Sequence, residues 1–174
     1  MISLIAILLQ AAPAATAPQP LPPAWSATPG TQSMTARAKS RDGASRLAVR
    51  CDARAEKVVS VQFIPTADIG GSPPPGRPVS LTIDNATPMI ANWEFPGRGT
   101  FERDDVAVTT IAAAFVHART IKLHTVDAAG GPIDAIFDGP PNPGGIVQVL
   151  GACGYTLGQV PVRPPAPADK PGEQ

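Results

Sequence analysis

The chain has 174 residues, with 14 basic against 14 acidic side chains and only 5% aromatics. Balanced charge gives no overall attraction to nucleic acid or to an anionic membrane. So few rings argue against a stacking platform for bases or sugars.

The first residues, MISLIAILLQAAPAATAPQ, are apolar from Ile2 to Leu9 and then small. Ala12-Pro13-Ala14 fits the A-x-A pattern that signal peptidase reads. Ala15-Thr16-Ala17 fits as well, but Pro18 would follow the cut. No Lys or Arg precedes the apolar run, and the run is shorter than the ~20 residues a span needs. Residues 1–14 are therefore expected to be a signal peptide, with no membrane span left after its removal. Residues 13–29 carry six prolines and residues 161–174 carry five. Proline lacks a backbone donor and favours extended, solvated chain. The expectation is a Pro/Ala-rich disordered linker over 15–30, one domain over 31–158 and a Pro-rich disordered tail over 159–174.

Within the domain the pattern is mostly period two, as in half-buried strands. Leu47, Val49 and Cys51 alternate with Arg46, Ala48, Arg50 and Asp52. Val59, Val61 and Phe63 then alternate with Ser60 and Gln62 over 57–64. Turn residues fill 70–78. Val79, Leu81 and Ile83 alternate with Ser80, Thr82 and Asp84. A turn at 85–88 leads to Met89, Ala91, Trp93 and Phe95 on one face, with Glu94 facing out. Residues 100–103 suit a short strand. At Asp104 or Asp105, either of which can cap a helix, the period changes. Val108, Ile111, Ala112 and Phe115 then recur at helical spacing, predicting a helix over 105–118. Strands return at 120–126 and 132–137, on either side of a turn at 127–131. Finally Asn142 and Pro143 suit a helix start, and Ile146, Val149, Leu150 and Cys153 form one stripe before Gly154. Runs of neighbouring strands with two helices predict an α+β, β-rich fold: an antiparallel sheet or sandwich with both helices packed on it.

Cys51 and Cys153 both lie on apolar faces, one on a strand and one on the last helix. In an oxidising compartment such a pair is bridged, so a Cys51–Cys153 disulfide is expected. Two buried unpaired thiols are the alternative if the chain stays in a reducing compartment. A catalytic thiol would need exposure and a base, and neither cysteine has a nearby His in sequence. A zinc site would need more ligands than two Cys and two poorly spaced His.

His117 and His124 are the only histidines, and both read as surface residues. The sequence holds no G-x-S-x-G, H-E-x-x-H, P-loop or dinucleotide-binding pattern. Gly144-Gly145 before a helix could cradle an anion, but such pairs are common. Asp104 and Asp105 suit capping, while Asp84 and Asp138 suit turns. Arg37, Lys39, Arg41, Arg46, Arg50, Arg54 and Lys57 face only Asp42, Asp52 and Glu56 across the same segment. Arg46 and Arg50 share a strand face, so a basic stripe could meet a phosphate-bearing or acidic partner. A solvated outer sheet face is the plainer reading.

The strand LAVRC ending at Cys51, PVSLTID at 78–84, Trp93, TIAAAFVHARTIKLHTV at 110–126 and FDGPPNPGGIVQVLGAC at 137–153 together resemble a group of exported bacterial proteins. That group includes the VasI-type accessory proteins associated with type VI secretion. The resemblance covers most of residues 46–154. The prolines at 73–75 depart from it, and Thr82 stands where the group often has a basic residue. It implies an exported, disulfide-bearing, non-enzymatic domain, without implying service in a secretion system.

The sequence thus points to an exported, periplasmic or secreted, non-enzymatic binding or accessory domain. Its expected partner is a protein or envelope component rather than nucleic acid, and no catalytic, cofactor or metal residue is assigned. The alternatives are a hydrolase built around His117 or His124 with Asp84 or Asp138, and a structural envelope protein tethered by its tails.

Overall fold

A computed structural model describes residues 24–54, 56–70, 76–95 and 97–163. The expected signal peptide, residues 15–23 of the linker, 71–75 of the proline-rich loop and 164–174 of the tail lie outside the described residues.

The elements in chain order are β1 (Ala27–Gly30), β2 (Ser33–Lys39), β3 (Ser45–Ala53), β4 (Lys57–Pro65), β5 (Arg77–Ile83), β6 (Met89–Trp93), β7 (Thr100–Glu102), α1 (Asp105–Phe115), β8 (Thr120–Val126), β9 (Pro132–Asp138) and α2 (Gly144–Ala152). Two antiparallel sheets result. One has the order β1-β2-β3-β4-β7 and the other β6-β5-β8-β9. The α+β, β-rich reading therefore holds, as a sandwich-like pair of sheets carrying two helices.

Alternation decides which residues go inside. Leu47, Val49, Val59, Val61 and Phe63 of the larger sheet are fully buried, as are Ile121 and Phe137 of the smaller one. Phe63 meets Phe137 edge to face, with ring centres 6.3 Å apart, and so joins the two sheets. Helix α2 packs on β1, β2 and β3, and α1 packs on β4. The turn after β2 also reaches across, where Arg41 N–H donates to the Ile136 carbonyl of β9 at 2.7 Å.

Helix α1 starts where Asp104 accepts hydrogen bonds from the backbone N–H groups of Val106 and Ala107. It ends at Phe115, three residues short of the expected 105–118. The chain turns through Val116 and His117 so that the Ala118 carbonyl lies against Gly139, where a Cβ would be 1.8 Å from that oxygen. At α2, Pro143 occupies the cap position and Asn142 accepts from Gly144 N–H at 3.0 Å. Ile146, Val149 and Leu150 are buried as their stripe predicts.

The folded part begins earlier than residue 31. Trp25, assigned by sequence to the linker, is only 2% exposed. Its ring packs on Phe115 and its indole N–H donates to the Asp138 carbonyl at 2.8 Å. Strands β1 and β2 carry little sequence signal. Pro29 and Gly30 hide β1, and the inward residues of β2 are alanines, Ala36 and Ala38, which carry little hydrophobic signal. At the other end Arg163, within the expected tail, is held against α1.

Candidate functional site

The missed strand β2 decides how the basic residues are arranged. In its register with β3, Arg37 lies directly opposite Ala48, and Lys39 opposite Arg46. In the β3–β4 register, Ala48 lies opposite Gln62 and Arg50 opposite Ser60. Positions 37, 39, 46, 48, 50 and 62 therefore share the outer face of the larger sheet, because side chains alternate across a strand. Ala48 sits at the centre. Arg46 and Arg50 flank it along its own strand, Arg37 lies to one side and Gln62 to the other.

A hollow of about 280 Å³ lies over this face, lined by Arg37, Arg46, Ala48, Arg50 and Gln62 among others. A second, of about 520 Å³, adjoins it beside Lys39, Arg46, Asp68 and Arg98. The two share Arg46 and Ile64. Among the described residues, the side chains of Arg37, Lys39, Arg46 and Arg98 make no ion pair. Arg50 has Asp52 at 3.7 Å, and Asp52 also faces Arg54 at 3.5 Å. The charge excess visible in sequence is thus sorted. Arg41 leaves it to pair with Asp138 at 2.7 Å, while Arg37, Lys39, Arg46 and Arg50 collect on one surface.

The histidines lie elsewhere. His117 is exposed just after α1. His124, on the outer face of the smaller sheet, pairs through Nδ1 with Asp134 at 2.8 Å. Neither Asp84 nor Asp138 meets a histidine, contrary to the hydrolase constellation considered from sequence. Asp84 accepts from the N–H groups of Arg119 and Thr120 at the start of β8, and Asp138 holds Arg41. Register does place Ser80 opposite His124, completing a Ser–His–Asp row across three strands. Among the described residues, no hydrogen bond joins Ser80 to His124. A nucleophile activated by a neighbouring base depends on that link.

No family model matches the chain, and no curated protein matches it. Among solved structures the chain is similar to the crystal structure of invasion associated protein B from Bartonella henselae. The identity is 17%, covering 73% of this chain and 89% of that one, with a TM-score of 0.46.

The two cysteines are joined as expected. The Cys51–Cys153 disulfide has its Cα atoms 5.7 Å apart and ties β3 to the end of α2. Both cysteines are buried, at 0% and 6% exposed. Gly144-Gly145, considered as an anion cradle, has a packing explanation at Gly145. There a Cβ would stand 1.7 Å from the Trp25 carbonyl oxygen. No helix among the described residues is long and apolar enough to cross a membrane.

A last polar cluster was not visible in sequence. Asp105, on the first turn of α1, accepts from Tyr155 Oη at 2.5 Å and from both Nε and Nη2 of Arg163, at 2.5 and 2.8 Å. The Arg163 guanidinium holds the Asp105 carboxyl below its ordinary range. Burial and the neighbouring Asp105 raise the Tyr155 phenol. This clasp holds Arg163, the last of the described residues, against the start of α1.

Proposed function

We propose that this chain is an exported, non-enzymatic binding domain that recognises an anionic partner through the outer face of its larger sheet. One observation carries the reading: Arg37, Lys39 and Arg46 stand together on that face without an ion-pair partner among the described residues. Like charges on neighbouring strands destabilise a sheet, and a bound anion relieves that repulsion. Export is supported by the buried disulfide, since such bonds persist in oxidising compartments, and by the apolar N-terminus followed by Ala12-Pro13-Ala14. The resemblance to VasI-type exported accessory proteins points the same way.

The binding test compares retention of the full chain on sulfated and neutral dextran. The expected result is salt-sensitive retention on the sulfated polymer alone, abolished in the Arg37→Glu/Arg46→Glu variant. Equal retention of that variant would sink the reading. Export is tested by cell fractionation, with the chain expected in the periplasmic or secreted fraction and its retention in the cytoplasm refuting export. The disulfide is tested by thiol counting with and without reductant, where two free thiols would refute it.

A further inference from the structure

We propose that the hollow over Ala48 binds a phosphoryl group, and that the ligand is a soluble chain bearing at least two phosphates. The second phosphate lies in the adjoining hollow beside Lys39 and Arg98. This rests on the reading of the outer face as the recognition surface.

The argument begins at Ala48. It points outward from the sheet, yet it is 5% exposed. Its neighbours on this face are Arg37, Arg46, Arg50 and Gln62, and arginine stems lie along such apolar surface while their heads stay in water. Directly opposite neighbours on adjacent strands have Cβ atoms about 5 Å apart, and next-but-one residues on a strand are about 6.7 Å apart. Arg37, Arg46 and Arg50 are therefore rooted around one methyl group on three sides and line the hollow above it, with the Arg50 head 3.7 Å from Asp52. Gln62 closes the fourth, its amide steadied by a hydrogen bond from Nε2 to Ser60 Oγ at 3.0 Å. A larger residue at position 48 would fill this floor.

Cations rooted on several sides of one hollow select the ligand. A carboxylate is planar, and one arginine fork occupies its two oxygens. A phosphate monoester presents three peripheral oxygens and a charge of roughly −1.5 to −2 at neutral pH. It can satisfy three guanidiniums at once and offset more of their mutual repulsion. Asp52, the carboxylate on this face, is shared between Arg50 and Arg54 and makes no hydrogen bond through Oδ1. It does not occupy the hollow. The second hollow is lined by three cations, Lys39, Arg46 and Arg98, against one carboxylate, Asp68, which also accepts from Gly70 N–H at 2.8 Å.

The same residues argue against single-stranded nucleic acid. None of the described residues lining either hollow is aromatic. Phe101, opposite Gln62 on β7, has Arg103 over its ring at 5.7 Å. Single-stranded nucleic acid is held largely by stacking on free rings, and this face supplies none.

The experiment is isothermal titration of the oxidised full chain with inorganic tripolyphosphate. Poly-L-glutamate, oligothymidylate and phosphatidic acid vesicles serve as competitors at matched ionic strength. Arg37→Gln and Arg50→Gln are each expected to weaken tripolyphosphate binding by about tenfold or more, as loss of a charge-assisted hydrogen bond does. Ala48→Leu, which fills the floor without changing charge, is expected to weaken it as well. Arg119→Gln, away from this face, is expected to leave it unchanged. Thermal melts confirm that each variant is folded, and the two arginine variants decide the matter if Ala48→Leu is not. Equal binding by Ala48→Leu would overturn the hollow. Tighter binding of poly-L-glutamate, oligothymidylate or vesicles would overturn the soluble phosphate chain while leaving the basic-face reading intact. Failure to bind tripolyphosphate while sulfated dextran is still retained would overturn the phosphoryl hollow alone, and failure to bind either would overturn both.

Discussion

Gly145 has no room for a side chain, because the backbone of Trp25 crosses it at the start of α2. Gly145→Ala is expected to destabilise the fold by about 1–3 kcal/mol, the usual cost of forcing atoms into a packed site, read as a lower denaturant midpoint. Trp25 is itself held at φ 62°, a conformation bulky residues rarely adopt. Its burial against Phe115 and its hydrogen bond to Asp138 hold it there. Asp105 is the residue most open to a pH test. Its carboxyl lies below the ordinary value of 3.8 because Arg163 binds the charged form. Its contribution to stability is therefore fully present above that value and is lost as pH falls through the lowered one. Tyr155 works in the opposite sense. Its phenol is raised from 10.0, so the neutral donor it supplies is lost only as pH rises through the raised value. Asp105→Asn is expected to lower the melting temperature at pH 7, with the difference closing in strong acid. A difference that persists unchanged at low pH would show that the ion pair is not its source.

Strands whose inward residues are large and branched could be read from sequence. β4 and β5 alternate between Val, Leu, Ile or Phe and polar residues, β3 and β8 largely so, and the structure keeps each of them; β9 is kept as well, with Ala135 inside and Ile136 outside. β2 has the same geometry but buries Ala36 and Ala38, and alanine on alternate positions says little about a face. The omission mattered for the site. Arg46 and Arg50 could be placed together from β3 alone, but Arg37 and Lys39 join them only through the β2–β3 register, which local pattern does not reveal. Ala48 illustrates the same limit, because its role comes from its four neighbours rather than its own chemistry. The helices were easier to find, since a cap and a stripe are both local. Asp104 accepts two backbone N–H groups of α1, and Asp104→Ala is expected to cost about 1 kcal/mol, measured by urea unfolding. An unchanged midpoint would mean the cap contributes nothing.

At the scale of the molecule, two sheets and two helices enclose one core, and a single covalent link spans it. Cys51 and Cys153 could be paired from sequence because each lies on an apolar stripe and no third cysteine competes. The closed loop separates residues 102 apart in sequence, so chain entropy sets its worth at up to about 4.7 kcal/mol. That is comparable to the net stability of a small domain. The Cys51→Ala/Cys153→Ala variant is expected to lose much of that stability in chemical unfolding. A loss of only a few tenths of a kcal/mol would show the bond to be incidental. The bond also makes the segment from β4 to α2 a covalent ring. A protease that cuts once inside it, for example at the Asp127–Gly131 turn, opens the ring without releasing a fragment. The nicked molecule would migrate as one species until reduced and as two afterwards. Strands β2, β3 and β4 would all remain on one side of the cut, so a single proteolytic cut would convert the protein to a two-chain form with its arginine face still assembled.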